Sequence, residues 1–169
     1  KDAAGRYFVS LLCDDTVEVK SAVVRKIGID LGLSHFAIFS TGEKVAAPNT
    51  FRKNEAQLVK LQRRLAKKQK GSKNRIKAAC KVARLHAKTA DARKDFLHKL
   101  STRLVNENQV IAVESLAVAN MKRNHCLAKS ISDAGCGLYI QQLEYKAHWY
   151  GRELVGIDRW YPSINHCKE

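Results

Sequence analysis

Short apolar segments bounded by turn residues recur along this chain, and they have the length and composition of β-strands. Runs of β-branched and aromatic residues between turn residues favour strands. The first three such segments follow one another closely, with Thr41-Gly42 making one turn, which predicts an antiparallel meander. The predicted strands of this set cover residues 26–29, 35–40, 43–47, 109–113 and 153–157.

The first 24 residues also contain apolar stretches. Residues 6–13 (RYFVSLLC) are apolar and β-prone, and Asp14-Asp15 ends the run. Residues 16–24 alternate partly between apolar and polar positions. We therefore expect residues 6–13 to form a strand and residues 16–24 to pair back onto it as a hairpin.

The spacing of apolar residues changes to that of helices after Pro48. Leu58, Leu61 and Leu65 recur at intervals of 3 and 4, which predicts a helix over residues 54–69 with Asn54 as its N-cap. A second, longer helix is predicted over residues 72–106, with a seam made largely of small residues. A third helix is predicted to run to about residue 149, with Ser132 or Asp133 as its N-cap and Gly151 ending it.

The order of these elements predicts the fold class. Three antiparallel strands, a helical insert at about residues 52–106, and then strands joined by a helical crossover make an α/β domain. This is the order of a ribonuclease H-like domain. We expect a mixed sheet with a long basic helical hairpin inserted into it.

The charge of the chain is concentrated in that insert. The chain has 169 residues and a net charge of +15, and residues 52–99 contain 17 Lys and Arg against 3 Asp and Glu. A solvated surface face is the ordinary explanation of a lysine-rich helix, but one-signed charge over two helices repels itself and favours an anionic partner. Nucleic acid is the first candidate, since Lys and Arg contacts to phosphate release counterions. The predicted nucleic-acid-binding residues are Arg63, Arg64, Lys67, Lys68, Lys70, Lys73, Arg75, Lys77 and Arg123.

Other features exclude competing classes of protein. No apolar run approaches the roughly 20 residues that span a bilayer, so no membrane partner is expected. The five cysteines are odd in number and none has C-x-x-C spacing, which indicates reduced thiols in a cytoplasmic protein. The sequence gives no prediction of oligomeric state.

Two acidic residues stand at the ends of predicted strands. Asp30 follows the apolar run at residues 27–29, and Glu114 follows the run at residues 110–113. A lone acid in such a place usually caps a helix or a turn. Two carboxylates that meet at the edge of one sheet could instead hold a divalent ion through oxygen ligands, as a metal-dependent nuclease requires.

The chain resembles the TnpB (OrfB) family of transposon-encoded RNA-guided DNA nucleases. The motifs that carry this resemblance occur in the family's order and at its spacing, and together they extend to residue 163. They are GIDLG at 28–32, FLHKLS at 96–101, VESL at 113–116, NM at 120–121, SISDAG at 130–135, QLEYKA at 142–147 and RWYPS at 159–163.

The resemblance implies a RuvC-like nuclease domain over residues 25–169, preceded at residues 1–24 by the end of a β-rich wedge domain. Asp30 and Glu114 would be its first two catalytic carboxylates, and they would bind Mg²⁺ (or Mn²⁺) in a two-metal hydrolysis of phosphodiesters. The basic hairpin would line a groove for guide RNA and target DNA. The expected location is the cytoplasm, in association with the nucleoid.

The end of the sequence departs from the family pattern. The family continues with C-x-x-C zinc pairs and a third catalytic Asp, whereas here only Cys167 matches, as a possible first zinc ligand. Zinc is therefore expected only with a further C-terminal segment. Asp158 is interpreted as a turn residue. We expect a C-terminally truncated domain that binds metal weakly and cleaves little alone, and the alternative is a catalytically incomplete nucleic-acid-binding remnant or fragment.

Overall fold

The structure is a computed structural model, and it describes residues 1–32, 34–114 and 133–157. Two compact units are present. The first contains residues 1–16 and 49–96, and the second contains residues 17–48 together with the described residues from Leu97 onward. The predicted division into a wedge segment at residues 1–24 and a nuclease domain at 25–169 is a different division, and it stays a prediction.

A mixed five-stranded sheet forms the second unit. Its strands are β1 (Lys26–Leu31), β2 (His35–Phe39), β3 (Lys44–Ala46), β4 (Val110–Glu114) and β5 (Glu153–Ile157). The spatial order is β3-β2-β1-β4-β5. The pairs β1–β2 and β2–β3 are antiparallel, and the pairs β1–β4 and β4–β5 are parallel. The predicted meander and the mixed α/β class are therefore confirmed.

Three long helices occur in the described part of the chain: α1 (Thr50–Ala66), α2 (Lys73–Glu107) and α3 (Cys136–Trp149). The bounds of α2 agree with the predicted helix to within one residue. None of the described helices is both long enough and apolar enough to cross a membrane.

The predicted N-caps of α1 and α3 are wrong. Helix α1 begins after Asn49, whose φ of 49° is left-handed, and Asn54 lies within the helix, where its amide donates to Thr50 O at 2.9 Å and Thr89 Oγ1 at 3.2 Å. Helix α3 begins after Gly135, with φ of 73°, rather than after Asp133. The other candidate cap, Ser132, lies outside the described residues.

The predicted strand at residues 6–13 and the hairpin at 16–24 are also wrong, because residues 6–24 contain no strand. Their apolar side chains are largely exposed, with Tyr7 75% and Leu12 102% accessible. β-propensity depends on a neighbouring strand and a surface to pack against. Residues 17–24 are held instead by single contacts, such as Val23 N donating to Gln109 Oε1 at 3.2 Å.

The core of the second unit lies between the sheet and the helices. The fully buried side chains include Phe36 of β2, Leu104 of α2 and Leu143 of α3. The rings of Phe36 and Tyr139 meet edge to face at 5.1 Å, which joins α3 to the sheet. Burying these aromatic and aliphatic groups supplies most of the favourable free energy of folding in such a unit.

Helix α2 packs against one face of the sheet, and Asp30 belongs to the opposite face. The Arg103 guanidinium of α2 lies 5.6 Å from the Phe39 ring, and Phe39 pairs with Ile29, so α2 lies on the face to which Ile29 points. Successive side chains of a strand point to opposite faces. Ile27, Ile29 and Leu31 are accordingly buried. Asp30 is exposed and belongs to the opposite face.

Candidate active site

The two predicted carboxylates lie on adjacent parallel strands in the same register. Ile29 of β1 pairs with Val113 of β4, so the next residues along the two strands are Asp30 and Glu114. Paired residues share a face of the sheet, and neighbouring strands run about 4.8 Å apart. The structure therefore brings Asp30 and Glu114 together at the carboxyl edge of the sheet, on the face opposite α2.

The environment of the pair is open to solvent. Asp30 is exposed and Glu114 is half-buried. Neither side chain forms a hydrogen bond or ion pair with another residue that the structure describes. Two adjacent carboxylates without a cation repel one another, so the pair is an electrostatic site that a positive ligand would stabilise.

The chemistry of the donors fits Mg²⁺ or Mn²⁺. Ionised carboxylates are acceptors only, and hard divalent cations prefer oxygen ligands while retaining several waters. Within residues 1–32, 34–114 and 133–157, no group of three or more His, Cys, Asp or Glu side chains is placed to hold a metal ion. The described part of the site therefore offers two protein carboxylates, and the remaining positions of a bound ion would be open to water or phosphate.

An open cavity of about 590 Å³ lies beside Glu114. It extends along α3 and β5, and its surface is mixed: aliphatic groups alternate with Glu144 and His148, which stand one turn apart on α3. Among the described residues its lining consists of Val113, Glu114, Ile140, Glu144, Ala147, His148, Arg152, Leu154, Val155 and Gly156. Its lining is also mixed in charge, because Arg152 lies in it together with Glu114 and Glu144.

Eight of the nine predicted nucleic-acid-binding residues belong to the first unit. Seven of them have exposed side chains near the connection between α1 and α2: Arg63, Arg64, Lys67, Lys68, Lys70, Lys73 and Lys77. No acidic residue occurs between Glu55 and Asp91, so these charges are not neutralised along the sequence. Such a surface suits a phosphate backbone.

Arg75 differs from the other predicted contacts. It is half-buried, and its Nη1 donates to Leu65 O at 3.2 Å and to Lys68 O at 3.0 Å. Arg123 and Cys167, the remaining predicted site residues, lie outside the described residues, as does Asp158. The three cysteines that the structure describes, Cys13, Cys80 and Cys136, are free thiols.

A buried polar network behind the sheet was missed by sequence reasoning. Lys146 of α3 donates to His98 O at 2.9 Å and to the hydroxyl oxygens of Ser101 and Thr102 at 2.7 Å each. Ser101 Oγ also donates to Gln142 Oε1 at 3.3 Å. The network joins the FLHKLS motif to the QLEYKA motif. Those motifs were the available signal, but neither contains a pattern that identifies the other as its partner.

A second such residue is Arg152, which lies between α3 and β5 and is 8% exposed. Its Nε donates to Val105 O at 2.9 Å, near the end of α2, and its Nη1 donates to Ser21 O at 3.0 Å and Gln109 Oε1 at 2.8 Å. It therefore joins the end of α2 to residues 17–24 and to the start of β4.

Comparison with known proteins identifies the family. Residues 10–125 match the family model OrfB_IS605, described as a probable transposase. This match includes β1 to β4, both carboxylates and the whole helical hairpin. The chain belongs to the OrfB_IS605 family. The family assignment predicted from the motifs is thus confirmed.

Three similar proteins are named as RNA-guided DNA endonucleases. A Streptomyces pristinaespiralis protein named "Putative RNA-guided DNA endonuclease" is 53% identical over 167 residues, which cover 99% of this chain and 42% of that protein. The Escherichia coli K12 relative of the same name, InsQ, is 31% identical over 179 residues, covering 95% of this chain and 44% of InsQ. A Mycobacterium tuberculosis relative so named is 31% identical over 153 residues, covering 84% of this chain and 33% of its own length. The chain thus spans less than half the length of each of these nuclease relatives.

Proposed function

We propose that this OrfB_IS605 family chain is the core of an RNA-guided DNA endonuclease in which Asp30 and Glu114 bind Mg²⁺ (or Mn²⁺). The observation that carries the proposal is the register of β1 and β4, which puts the two carboxylates side by side. The names of the relatives support DNA as the target and RNA as the guide. Association with the nucleoid follows from DNA binding and stays a prediction.

We also propose that the second unit is ribonuclease H-like, of the RuvC type. Its strand order, β3-β2-β1-β4-β5, supports this proposal, with three antiparallel strands followed by two parallel ones. Helix α3 lies in sequence between the parallel strands β4 and β5. Ligand sites of open α/β sheets lie beyond the carboxyl ends of the strands, and Asp30 and Glu114 are at such ends.

In this proposal, metal binding and phosphate binding belong to two different regions: the carboxylate pair and the basic hairpin. Asp30, which is exposed, and Glu114, which is half-buried, would present their carboxylate oxygens to a phosphodiester at the carboxyl edge of the sheet. Divalent ions held there would supply an activated water and would neutralise the charge of the phosphate in two-metal hydrolysis. The exposed Arg and Lys residues of the hairpin would hold phosphates of the bound nucleic acid without reading its sequence.

The scarcity of aromatic residues in the basic part of the hairpin supports this backbone contact. Residues 52–95 contain no Phe, Tyr or Trp and a single histidine, His86, so this stretch offers little ring surface on which unpaired bases could stack. Its binding energy would therefore come from phosphate contacts, and affinity would fall steeply with salt.

Titration of the folded chain with Mn²⁺, followed by calorimetry and by the paramagnetic broadening of nearby NMR signals, tests the metal site. We expect saturable binding that Asp30→Asn or Glu114→Gln weakens at least tenfold, because each change removes a charged ligand. Glu153→Gln is the matched control: it removes an exposed carboxylate from the same sheet, at the start of β5. It should bind Mn²⁺ as the unmodified chain does.

Two outcomes would contradict the proposed site. Equal binding by the Asp30→Asn variant would show that the carboxylate pair is not the site, and equal loss in Glu153→Gln would show that the binding is a general response to charge. A nucleic-acid-binding remnant without catalysis is the second candidate function. It is favoured by the lack of a third ligand among the described residues, and absence of Mn²⁺ binding would support it.

A further inference from the structure

The connection between α1 and α2, residues 67–72, carries three lysines within four residues. Lys67, Lys68 and Lys70 are all exposed, and Lys73 follows at the start of α2. Mutual repulsion of these ammonium groups would spread a flexible connection. The backbone here is nevertheless held by hydrogen bonds: Lys67 N donates to Arg63 O at 3.3 Å and Lys68 N donates to Leu65 O at 3.1 Å.

Arg75 reaches back from the first turns of α2 to this connection. Its Nη1 donates to Leu65 O, inside the last turn of α1, and to Lys68 O, beyond the end of α1. The last carbonyls of a helix have no partner within the helix, and a cation is favourable beside them because of the helix dipole. Arg75 thus bridges the end of α1 and the lysine-bearing connection with one guanidinium group.

Ser72 holds the other side of the same connection. Its hydroxyl donates to Gln69 O at 2.8 Å and accepts a bond from Arg75 N at 3.1 Å, in the manner of an N-cap. Gly71 allows the chain to turn, with φ of 81°. The connection is therefore fastened at both ends, by two residues that are not themselves fully exposed.

We propose that Arg75 is a positioning residue: it fastens residues 65–68 and so presents Lys67, Lys68 and Lys70 as one preordered cationic surface, without contacting phosphate. Its Nη1 is committed to two backbone carbonyls, whereas the neighbouring lysines are exposed. A surface ordered before binding loses less conformational freedom when phosphates dock on it. The inference rests on the proposed nucleic-acid binding by the hairpin, and it assigns Arg75 a role different from that of its neighbours.

The slope of log affinity against log salt separates the two roles. This slope is negative, and each phosphate contact that is removed decreases its steepness by about 0.9 for duplex DNA. A lower slope below means a less steep one. We would measure binding of the full chain to a short DNA duplex of arbitrary sequence over a range of salt. Lys70→Met should weaken binding and lower the slope. Arg75→Met should weaken binding by about tenfold, the cost of ordering one or two side chains, with the slope unchanged.

Two further variants complete the test. Arg75→Lys should recover most of the affinity, since an ammonium group can still donate to both carbonyls. Ser72→Ala removes the other fastening without changing any charge, so it should weaken binding with an unchanged slope even if Arg75→Met fails to fold. Hydrogen exchange at the amide of Lys68 should accelerate in Arg75→Met and in Ser72→Ala, and not in Lys70→Met.

A lower slope in Arg75→Met, equal to that of Lys70→Met, would overturn the inference by showing that Arg75 contacts phosphate. Unchanged affinity in both Arg75→Met and Ser72→Ala would overturn it by showing that the order of the connection does not matter. A combined Lys67→Met, Lys68→Met and Lys70→Met variant distinguishes failure of the inference from failure of the proposed nucleic-acid binding. If it binds DNA normally, these three lysines do not contact the DNA, and both the inference and their part of the proposed function fail. If it binds weakly while Arg75→Met and Ser72→Ala bind normally, only the inference fails.

Discussion

Lys146 shows how a single buried charge can be accommodated in this protein. Its side chain is 6% exposed, and its ammonium group donates to three oxygens of α2, one backbone carbonyl and two hydroxyls. A buried ammonium is costly unless its donors are satisfied. Here all three donors have a partner, so the residue joins α3 to α2 although no carboxylate is among those partners.

Replacing this lysine with methionine should destabilise the chain. Lys146→Met keeps the length and volume of the side chain but leaves three acceptors without their donor, and we expect a loss of about 1–3 kcal/mol in the free energy of unfolding. Urea denaturation at neutral pH would measure it. Lys94→Met, at an exposed lysine of α2, should change stability by less than about 0.5 kcal/mol. Equal stability of Lys146→Met and the unmodified chain would show that desolvation cancels these hydrogen bonds.

The stability difference between the unmodified chain and Lys146→Met should also depend on pH. Burial lowers the pKa of Lys146 below its ordinary value of 10.5. Between the lowered pKa and the ordinary one, the unfolded chain binds more protons than the folded chain, so the contribution of Lys146 to the free energy of unfolding rises with pH. The difference in stability between the unmodified chain and Lys146→Met should grow as the pH rises from neutrality towards 10.5. A constant difference across that range would contradict the lowered pKa.

Single residues differed in how far their roles could be predicted. Asp30 and Glu114 were selected as candidate ligands because a carboxylate after an apolar run is visible locally, and that role stays a prediction. The partners of Lys146 are 44 to 48 residues away in the sequence, and no local pattern selects them. Arg75 was predicted as one cation among many, since composition does not distinguish a guanidinium that caps a helix from one that faces solvent.

The five strands of the sheet and the three described helices were predicted close to their observed positions, because apolar periodicity is a property of neighbouring residues. The strands predicted within residues 6–24 are absent. The buried side of α3 was predicted less well. Helical periodicity predicts a core stripe of Ile140, Leu143, Ala147 and Tyr150, yet Ile140 and Tyr150 are half-buried. The fully or nearly buried positions also include Tyr139, Gln142 and Lys146. Two of these are polar, and their burial depends on hydrogen-bond partners on α2.

The end of α3 provides a test of backbone conformation. Gly151 has φ of 65°, and a Cβ added there would lie 2.4 Å from Val19 Cγ1. We expect Gly151→Ala to lower the free energy of unfolding by about 1–3 kcal/mol, because a left-handed backbone is unfavourable for residues with a side chain. Thermal unfolding would measure the effect.

Gly137 is the matched control at the other end of the same helix. A Cβ there meets nothing within 4 Å, and its backbone is helical. Gly137→Ala should therefore leave stability unchanged or raise it by up to about 1 kcal/mol. Destabilisation by both changes to the same extent would mean that α3 tolerates no added methyl group, and that the conformation of Gly151 is not the cause.

At the scale of the whole molecule, positive charge and the carboxylate pair belong to different units. The hairpin residues up to Phe96 belong to the first unit, and Asp30 and Glu114 belong to the second. Substitutions in the hairpin should accordingly alter DNA binding, and substitutions of the carboxylate pair should alter metal binding. This separation follows from the chain order, since the hairpin is inserted between β3 and β4.

The Asp30→Ala, Glu114→Ala double variant should bind a DNA duplex at least as tightly as the unmodified chain, with the same salt slope, while losing its Mn²⁺ binding. Removing two negative charges does not remove a phosphate contact, so the counterion release is unchanged. Fluorescence anisotropy over a range of salt measures the slope. A fall in the slope of about 0.9 or more would mean that the carboxylate edge takes part in phosphate binding.

The sequence by itself determined the periodic elements, the location of the positive charge, the family motifs and the strand-end positions of the two carboxylates. These are local properties, since each can be read from residues close together in the chain. Tertiary structure alone decided three others: the β1–β4 register that pairs Asp30 with Glu114, the burial of Lys146 and Arg152, and the lack of any strand at residues 6–24. Each depends on a partner distant in sequence, because hydrogen bonds, burial and strand pairing are set by contacts that only the folded chain makes.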